Sequence, residues 1–222
     1  MIIISIDGTA GSGKSTTARL VAQKLGFLYI DTGAMYRAAT LIVLTSDVDP
    51  HDKNSVTKLV HDSDISLVNN KGELKVLVNK IDVTKDIRSP KVTGFVSLIS
   101  SYRRVREYLV GLQRAMAENN NVVCEGRDIG TVVFPNADIK IYIDCSLEER
   151  AKRRLLDLKR AQVNTNLEKV KQELERRDKM DSKREFSPLR IPECAEIIDT
   201  TNLKIEEQVE RVLDLIHSLE GV

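Results

Sequence analysis

The feature that most constrains this fold is a glycine-rich octapeptide, GTAGSGKS at residues 8–15, which matches the pattern G-x-x-x-x-G-K-[S/T] in full. The short apolar run Ile2–Ile6 before it predicts a buried strand. After it, Ala18, Val21 and Leu25 recur at helical spacing. Glycines let backbone N–H groups turn toward an anion, and a helix N-terminus adds positive charge there. This strand–loop–helix unit therefore predicts a phosphate-binding loop.

The chemistry of such a loop suggests roles for its residues. The lysine reaches the β- and γ-phosphates of a bound nucleotide, and the hydroxyl that follows it ligates Mg²⁺. We therefore expect Lys14 to be catalytic, Ser15 to be a metal ligand, and the cofactor to be Mg²⁺. The residues expected to bind the donor nucleotide here are Gly8, Thr9, Ala10, Gly11, Ser12, Gly13, Lys14, Ser15 and Thr16.

The apolar runs beyond the loop predict an α/β fold. Strand, helix and strand follow one another closely, which is typical of a parallel sheet. We expect one doubly wound domain, a P-loop NTPase three-layer sandwich with a five-stranded parallel central sheet. The predicted strands are Ile2–Ile6, Phe27–Ile30, Val122–Cys124, Ile139–Ile143 and Ala195–Ile198. The predicted helices are Lys14–Leu25, Asp31–Leu44, Lys53–His61, about Ser89–Ala117, Leu147–Leu158, Leu167–Asp178 and Ile205–Leu219.

A segment between Asp47 and Asp86 interrupts this pattern. Two strand-like runs, Asp64–Val68 and Glu73–Val78, are joined by Asn69-Asn70-Lys71-Gly72, residues suited to positive φ. A hairpin at this place predicts an inserted, β-rich lobe.

The composition argues against several functions. There are 34 Lys and Arg against 33 Asp and Glu, so the chain as a whole is not attracted to nucleic acid or to an anionic membrane. Aromatic residues are only 4% and Trp is absent, which disfavours a stacking platform for single strands. No run approaches the roughly 20 apolar residues of a membrane span, and none is typical of a signal peptide. We expect a cytoplasmic monomer without nucleic-acid or membrane partners.

A GTPase switch is the main alternative within the P-loop class. Asn79-Lys80-Ile81-Asp82 fits the guanine-reading pattern N-K-x-D. A GTPase also needs a D-x-x-G turn between the loop and this motif, and none occurs between Ser15 and Asn79. We interpret the tetrapeptide as a polar turn that ends a lobe strand, away from the nucleotide edge of the sheet.

Arginine clusters favour phosphoryl transfer instead. Arg150, Arg153 and Arg154 share one face of a predicted helix. Phosphoryl transfer requires positioning and positive charge around the migrating group, and arginine provides bidentate clamps that are always charged. The candidates are Arg37, Arg127, Arg150, Arg153, Arg154, Arg176, Arg177 and Arg184.

Several separated motifs resemble those of the bacterial-type cytidylate kinases, a family of P-loop nucleoside monophosphate (NMP) kinases. They cover nearly the whole chain in the order of the family. They are IDGTAGSGKST (6–16), DTGAMYR (31–37), SSYRRVRE (100–107), EGRDIGTVVFP (125–135), EERAKRR (148–154) and RRDKMDSKR (176–184). The resemblance implies a single P-loop kinase domain over 1–222. The core is then expected at about 1–31, 89–146 and 186–222, the NMP-binding lobe at about 32–88, and a helical lid at about 147–185.

This resemblance implies transfer of the γ-phosphoryl group of ATP to CMP or dCMP. Arg37, Arg127 and Arg184 would hold the phosphate of the acceptor as catalytic residues, with Thr32 and Tyr36 at the entry.

The same resemblance implies which residues contact the base and the ribose and which belong to the lid. Ser97, Arg106 and Asp128 would read cytosine, and Arg177 and Asp181 would hold the ribose. In the lid, the resemblance implies that Arg150 and Arg154 bind ATP. It implies a catalytic role for Arg153.

The role of Asp128 can also be argued from its chemistry. A carboxylate accepts a hydrogen bond from the amino group of cytosine, whereas O4 of uracil would face it as acceptor against acceptor. Two alternatives stay open. Asp128 could attend Mg²⁺ through water, and Ser97 could be an ordinary helix serine.

Two competing functions remain at this level. One is a P-loop kinase for another small acceptor, such as a different nucleotide or a shikimate-like metabolite. The other is a nucleotide-dependent switch or binding module with no acceptor. The sequence leaves the preference among CMP, dCMP and UMP open.

Overall fold

A computed structural model describes residues 1–70, 73–160 and 162–220. The strands are β1 (Ile3–Gly8), β2 (Leu28–Asp31), β3 (Ile65–Asn70), β4 (Glu73–Val78), β5 (Ile81–Asp82), β6 (Val122–Gly126), β7 (Ile139–Asp144) and β8 (Glu196–Asp199). The helices are α1 (Lys14–Leu25), α2 (Thr32–Leu44), α3 (Lys53–His61), α4 (Pro90–Ile99), α5 (Arg103–Ala117), α6 (Leu147–Arg160), α7 (Leu167–Lys183) and α8 (Ile205–Glu220).

The central sheet has five parallel strands in the order β2–β6–β1–β7–β8. Its middle strand β1 is apolar because both of its faces are covered, and Ile4 and Ile6 are fully buried. Helices α1 and α8 pack in one apolar cluster with β1 and β7, whereas α5 contributes to a cluster with β6 on the opposite face. The predicted three-layer α/β fold and its five strands are confirmed.

Strand β1 ends where its two neighbours end, so the loop that follows β1 lies at their carboxyl edge. Asp7 pairs in register with Gly126 of β6, and Gly8 pairs with Ile143 of β7. The Asp7 carboxylate accepts hydrogen bonds from the backbone N–H groups of Ile129 and Gly130, both at 2.8 Å. The segment after β6 is thereby fixed against the end of β1.

The inserted lobe contains a three-stranded antiparallel sheet, β3–β4–β5. The predicted hairpin between β3 and β4 is confirmed, but its predicted turn is wrong for Asn69 and Asn70, which extend β3 because they pair with Leu74 and Glu73 of β4. The other two predicted turn residues, Lys71 and Gly72, lie outside the described residues. Strand β5 was not predicted. Asn79 and Lys80 both have positive φ, at 48° and 68°, and turn the chain back so that Ile81 pairs with Val78.

The long helix predicted over about Ser89–Ala117 is wrong as one element, because α4 and α5 are separate. The backbone of Tyr102 is extended, and the chain changes direction between Ile99 and Arg103. The apolar period continues through this break because both helices face the same core. The break leaves the carbonyl group of Ser100 free to accept a hydrogen bond from α5, which matters for the site below.

Within the described part of the chain, no helix has the length and apolar character that crossing a membrane requires. The division into core, lobe and lid stays a prediction.

Candidate active site

The carboxyl ends of β2 and β6 and the loop that follows β1 border one cavity of about 380 Å³. Every residue predicted to bind the acceptor lines it. These are Thr32, Tyr36, Arg37, Ser97, Arg106, Arg127, Asp128, Arg177, Asp181 and Arg184. The phosphate loop contributes Ala10, Gly11, Gly13, Lys14, Ser15 and Thr16 to the lining, together with Arg153 and Arg154 from α6. Residues far apart in sequence therefore meet at one edge of the sheet.

Close packing around the phosphate loop requires glycine at two positions. A Cβ atom at Gly8 would lie 2.3 Å from the carbonyl oxygen of Ile143. Gly13 has φ 96° and precedes α1, so its backbone conformation is one that other residues rarely adopt. The loop can therefore curl tightly against β7 and present the N-terminus of α1 to an anion.

Lys14 is held inside the loop. Its side chain is 7% exposed, and its Nζ donates to the carbonyl oxygen of Thr9 at 3.2 Å and lies 3.9 Å from Glu125 Oε2. Burial lowers the pKa of Lys14 to about 7, and the charge of Arg127 lowers it further than Glu125 restores it. The ammonium group is thus short of negative charge, which a bound phosphate would supply.

The sequence analysis missed two acidic residues of the site. Glu125 is the last residue but one of β6 and lies beside Lys14, and the hydroxyl group of Tyr29 donates to its Oε1 at 3.3 Å. Asp31 ends β2 and caps α2 by accepting from the N–H group of Ala34 at 2.8 Å. Burial raises the pKa of Asp31 to about 7, and the neighbouring Glu125 adds to this shift. The missed signal was a carboxylate directly after each of two predicted strands, Phe27–Ile30 and Val122–Cys124.

Positive charge exceeds negative charge around the cavity, because nine Lys and Arg line it against five Asp and Glu. Arg37 donates to Thr93 Oγ1 at 2.9 Å, yet its pKa is lowered to about 9 by burial and by its neighbours Arg177 and Arg154. Burial and Arg127 likewise lower the pKa of Arg177 to about 10. Buried cations in such number favour polyanionic ligands.

A buried charge network surrounds Asp128. One of its oxygens pairs with Nη2 of Arg106, and the other lies 3.6 Å from Nη2 of Arg184. Arg106 Nη1 also donates to the carbonyl oxygen of Ser100 at 3.0 Å, across the break between α4 and α5. These contacts hold the carboxylate of Asp128 and the guanidinium of Arg106 as a rigid pair at the cavity wall.

A second network centres on Asp181 of α7. Arg127 Nε donates to its Oδ2 at 3.0 Å, and the Ser97 hydroxyl donates to its Oδ1 at 3.4 Å. Burial would raise the pKa of Asp181, but the charges of Arg127, Arg177 and Arg184 outweigh it and hold this pKa below its usual range. Ser97 is therefore part of the cavity wall rather than an isolated helix serine.

The three arginines of α6 do not share one environment. Arg153 donates to Glu149 and to the carbonyl oxygen of Thr200, and both Arg153 and Arg154 line the cavity. Arg150 is buried, and its guanidinium group instead binds the carbonyl oxygens of Ala10 and Cys145. Arg150 therefore does not line the cavity with Arg153 and Arg154, and its role in binding ATP stays a prediction.

A larger cleft of about 860 Å³ separates the inserted sheet from the start of α1. Ser15 and Thr16 line it on one side, and Lys75 and Asp82 line it on the other. Asp82 belongs to the N-K-x-D tetrapeptide. The expectation that this tetrapeptide lies away from the nucleotide edge is therefore wrong for Asp82, although Asn79 and Lys80 form the predicted turn.

A phosphate loop, a buried lysine and an arginine-rich cavity together can bind two anionic substrates and move a phosphoryl group between them. The model of the cytidylate kinase family matches residues 4–218 of this sequence. The chain belongs to the cytidylate kinase family. It is an enzyme of the ATP-dependent kinase class.

Two relatives named cytidylate kinase match along almost their whole length. The chain is 50% identical over 213 residues to a cytidylate kinase from Caldanaerobacter subterraneus subsp. tengcongensis, covering 96% of this chain and 93% of the relative. It is 47% identical over 220 residues to one from Geobacillus kaustophilus, covering 99% and 98%. Among solved structures, shikimate kinase from Acinetobacter baumannii superposes with a TM-score of 0.50 at 15% identity, covering 98% of this chain and 94% of that one. This last likeness concerns the fold alone.

Proposed function

We propose that this chain transfers the γ-phosphoryl group of ATP to CMP or dCMP, giving ADP and CDP or dCDP. The observation that carries the proposal is the buried Arg106–Asp128 pair in the wall of an arginine-rich cavity that the phosphate loop borders. The relatives named cytidylate kinase, matched over almost their full length, support it.

The donor side is formed by the phosphate loop. Lys14 bonds the β- and γ-phosphates, and the backbone N–H groups of the loop and of the start of α1 bind the remaining phosphate oxygens. Arg153 and Arg154 face the same space from the lid, so they can neutralise charge that develops on the migrating group.

Mg²⁺ fits the oxygen-rich side of this loop. Ser15 is exposed at the mouth of the cavity, and the Glu125 carboxylate lies beside Lys14 in the same wall. A hydroxyl and a carboxylate, with phosphate and water oxygens, are the donors that Mg²⁺ prefers. When bound, the metal neutralises charge on the β- and γ-phosphates. We infer that Ser15 would ligate it directly and that Glu125 would act through water, in the role earlier considered for Asp128.

The acceptor phosphate is held opposite the loop by Arg37, Arg127 and Arg184. Arg127 binds Asp181 and Arg184 lies beside Asp128, so each guanidinium is oriented by a carboxylate and keeps further N–H groups for a ligand. Arg184 Nη2 is buried and lies 3.6 Å from Asp128 Oδ1 without making a hydrogen bond among the described residues, so its N–H groups can still donate to an acceptor phosphate.

The base is read by the Asp128–Arg106 pair together with Ser97. Asp128 accepts from the exocyclic amino group of cytosine and repels O4 of uracil. Because Arg106 is fixed by both Asp128 and the carbonyl oxygen of Ser100, the plane of its guanidinium is set before the base arrives. Such preorganisation supports selection of cytosine.

Arg177 and Asp181 contact the ribose in this proposal, and the Asp181 carboxylate accepts from a sugar hydroxyl. The charges that keep the pKa of Asp181 low keep it an acceptor at neutral pH. Use of dCMP depends on how much the 2′-hydroxyl group contributes here. We further propose that the enzyme acts in the cytoplasm as a monomer, with no nucleic-acid partner.

The first experiment is to measure ADP release from Mg-ATP with each acceptor in turn: CMP, dCMP, UMP, AMP, GMP, dTMP and shikimate. Fast turnover confined mainly to CMP and dCMP is the expected result. Turnover with a different acceptor would keep the phosphotransferase and discard the base-reading residues. Nucleotide binding with no acceptor-dependent turnover would overturn the proposal in favour of a nucleotide-dependent binding module.

A further inference from the structure

One buried hydroxyl group near the phosphate loop has no role in the proposed mechanism. It belongs to Tyr29 of β2, which is 6% exposed. In the register between β2 and β6, Tyr29 pairs with Val123 and Asp31 pairs with Glu125. Because paired residues of neighbouring strands point to the same face of a sheet, Tyr29 and Glu125 lie on one face. Tyr29 also packs in one apolar cluster with Ala18 of α1, so this face is the one that α1 covers.

The Tyr29 hydroxyl group is within hydrogen-bond distance of two residues of the donor site. It lies 3.3 Å from Glu125 Oε1 and 3.4 Å from the carbonyl oxygen of Ser15, and its single hydrogen can be donated to either. Burial raises the pKa of Tyr29, and the charges of Glu125 and Asp31 raise it further, so the group stays a donor at neutral pH. It therefore joins Ser15 and Glu125, the two residues proposed for Mg²⁺, which form the metal side of the donor site.

The inserted lobe contacts Tyr29 from another direction. The side-chain amide group of Asn69 on β3 donates to the carbonyl oxygen of Tyr29 at 3.2 Å. Leu74 of β4 packs against the apolar cluster that contains Tyr29, and it lines the larger cleft together with Ser15. By contrast, no described side chain of β3, β4 or β5 lines the smaller, arginine-rich cavity. The hairpin of the lobe therefore faces the metal side of the donor site rather than the acceptor residues.

We propose that Tyr29 is a positioning residue for Mg²⁺ and that the inserted hairpin supports it through Asn69. The hydroxyl group restrains both the Glu125 carboxylate and the first turn of α1, which carries Ser15. Groups that orient the residues around a metal raise its affinity although they do not touch it. Tyr29 does not line the acceptor cavity, so loss of its hydroxyl group weakens metal binding and leaves acceptor binding nearly unchanged. This inference rests on the metal site of the proposed function and not on the choice of acceptor.

The test compares Tyr29→Phe, which removes only the hydroxyl group, with Tyr102→Phe as the matched control. Tyr102 is also buried, and its hydroxyl group donates to the carbonyl oxygen of Pro50 at 2.8 Å, outside both cavities. The first measurement is binding of Mn²⁺, which takes the same oxygen ligands as Mg²⁺, to the complex of the enzyme with ADP, by electron paramagnetic resonance. We expect the Kd of Mn²⁺ to rise about fivefold in Tyr29→Phe and to stay that of the unaltered enzyme in Tyr102→Phe.

Steady-state kinetics provide the second measurement. In Tyr29→Phe the Mg²⁺ concentration for half-maximal rate should rise about fivefold, whereas KM for CMP should change less than about twofold. The double variant of Tyr29→Phe and Glu125→Gln should bind Mn²⁺ about as weakly as Glu125→Gln alone, because the hydroxyl group acts mainly through that carboxylate. Thermal unfolding establishes that each variant is folded.

Asn69→Ala provides a second route if Tyr29→Phe does not fold, because Asn69 is exposed. It should raise the Kd of Mn²⁺ about threefold. An unchanged Kd in Asn69→Ala would overturn the role of the hairpin. An unchanged Kd in folded Tyr29→Phe, or an equal rise in Tyr102→Phe, would overturn the whole inference. Absence of CMP turnover in the unaltered enzyme would instead overturn the proposed function, and the Mn²⁺ measurement would still stand.

Discussion

Arg150 and Asp178 bind the two backbone polar groups of one phosphate-loop residue. Arg150 Nη1 donates to the carbonyl oxygen of Ala10 at 3.0 Å, and Asp178 Oδ1 accepts from the N–H group of Ala10 at 3.3 Å. The two side chains also bind each other at 2.6 Å. Ala10 packs in an apolar cluster with Val170 and Leu174 of α7, so both helices of the predicted lid are joined to the loop.

The first prediction follows from this contact. Asp178→Ala leaves Arg150 buried without its partner and the Ala10 N–H group unbound, so the loop and lid lose their mutual orientation. We expect KM for ATP to rise about tenfold, while KM for CMP changes less than about threefold. Steady-state kinetics with ATP varied at saturating CMP measures this. The exposed Glu173→Gln on α7 is the control and should behave as the unaltered enzyme. An equal rise in both KM values would contradict the prediction.

Asp128 is predicted to decide between cytosine and uracil. In Asp128→Asn the side chain offers a donor to O4 of uracil, so the ratio of kcat/KM for UMP to that for CMP should rise at least about tenfold. The buried guanidinium groups of Arg106 and Arg184 lose their counter-charge, which should lower stability by about 3–5 kcal/mol. Acceptor kinetics and urea unfolding test both effects. An unchanged ratio in a folded variant would reject the base-reading role.

Glu125 is predicted to assist the metal. Glu125→Gln keeps the shape of the side chain and removes its charge beside Lys14. We expect the Mg²⁺ concentration for half-maximal rate to rise about tenfold, because an oriented metal-bound water loses its partner. Titration of the rate with Mg²⁺ at fixed ATP gives this value. Asp128→Asn is the matched comparison and should leave the Mg²⁺ requirement near that of the unaltered enzyme. If the Mg²⁺ requirement rose in Asp128→Asn and not in Glu125→Gln, the metal role would belong to Asp128.

Nucleotide binding is predicted to take up protons. Lys14 has a pKa of about 7 in the free protein, mainly because of burial, and bound phosphates would raise it. The contribution of the Lys14 charge to nucleotide affinity is therefore fully present below pH 7 and is lost as pH rises above that value. At pH 8, where ATP is fully ionised, uptake should approach one proton per site. Calorimetry in buffers of different ionisation enthalpy measures it, and net proton release would contradict the assignment.

Asp7 is predicted to make stability depend on pH. Burial raises its pKa to about 7 despite its two backbone hydrogen bonds. Because this pKa is above that of the unfolded chain, the folded state binds the extra proton, and the resulting stability is lost as pH rises from about 4 through about 7. Over that range the free energy of unfolding of the unaltered protein should fall by up to about 4 kcal/mol relative to that of Asp7→Asn. Urea unfolding of both proteins between pH 4 and 8 checks this, and parallel pH profiles would exclude Asp7 as the cause.

Much of the fold could be predicted from local patterns. The octapeptide at residues 8–15 is followed by α1 with the expected bounds, Lys14–Leu25, and α3 also has its expected bounds, Lys53–His61. Apolar period, caps and turn residues act within a few positions of the chain, so one sequence is enough to read them. The acceptor residues came from the resemblance to the family, all but Ser97 within its quoted motifs, and all of them line the cavity.

Tertiary structure decided what local patterns do not contain. The break before Arg103 lies inside one continuous apolar period, and the short strand β5 exists only because β4 provides a partner for Ile81. Arg150 shares its helix face with Arg153 and Arg154 in the sequence pattern, yet the loop and Asp178 surround it in space.

The sequence by itself determined the class of fold, the phosphate loop and the family. The fold class and the loop depend on residue type and on spacing within single elements, and the family was indicated by the resemblance of six separated motifs. Only the tertiary structure decided which carboxylate lies beside Lys14 and which arginines of α6 line the cavity. Ion pairs and burial join atoms such as Lys14 Nζ and Glu125 Oε2, which are separated along the chain and meet only because β1 and β6 end at the same edge of the sheet.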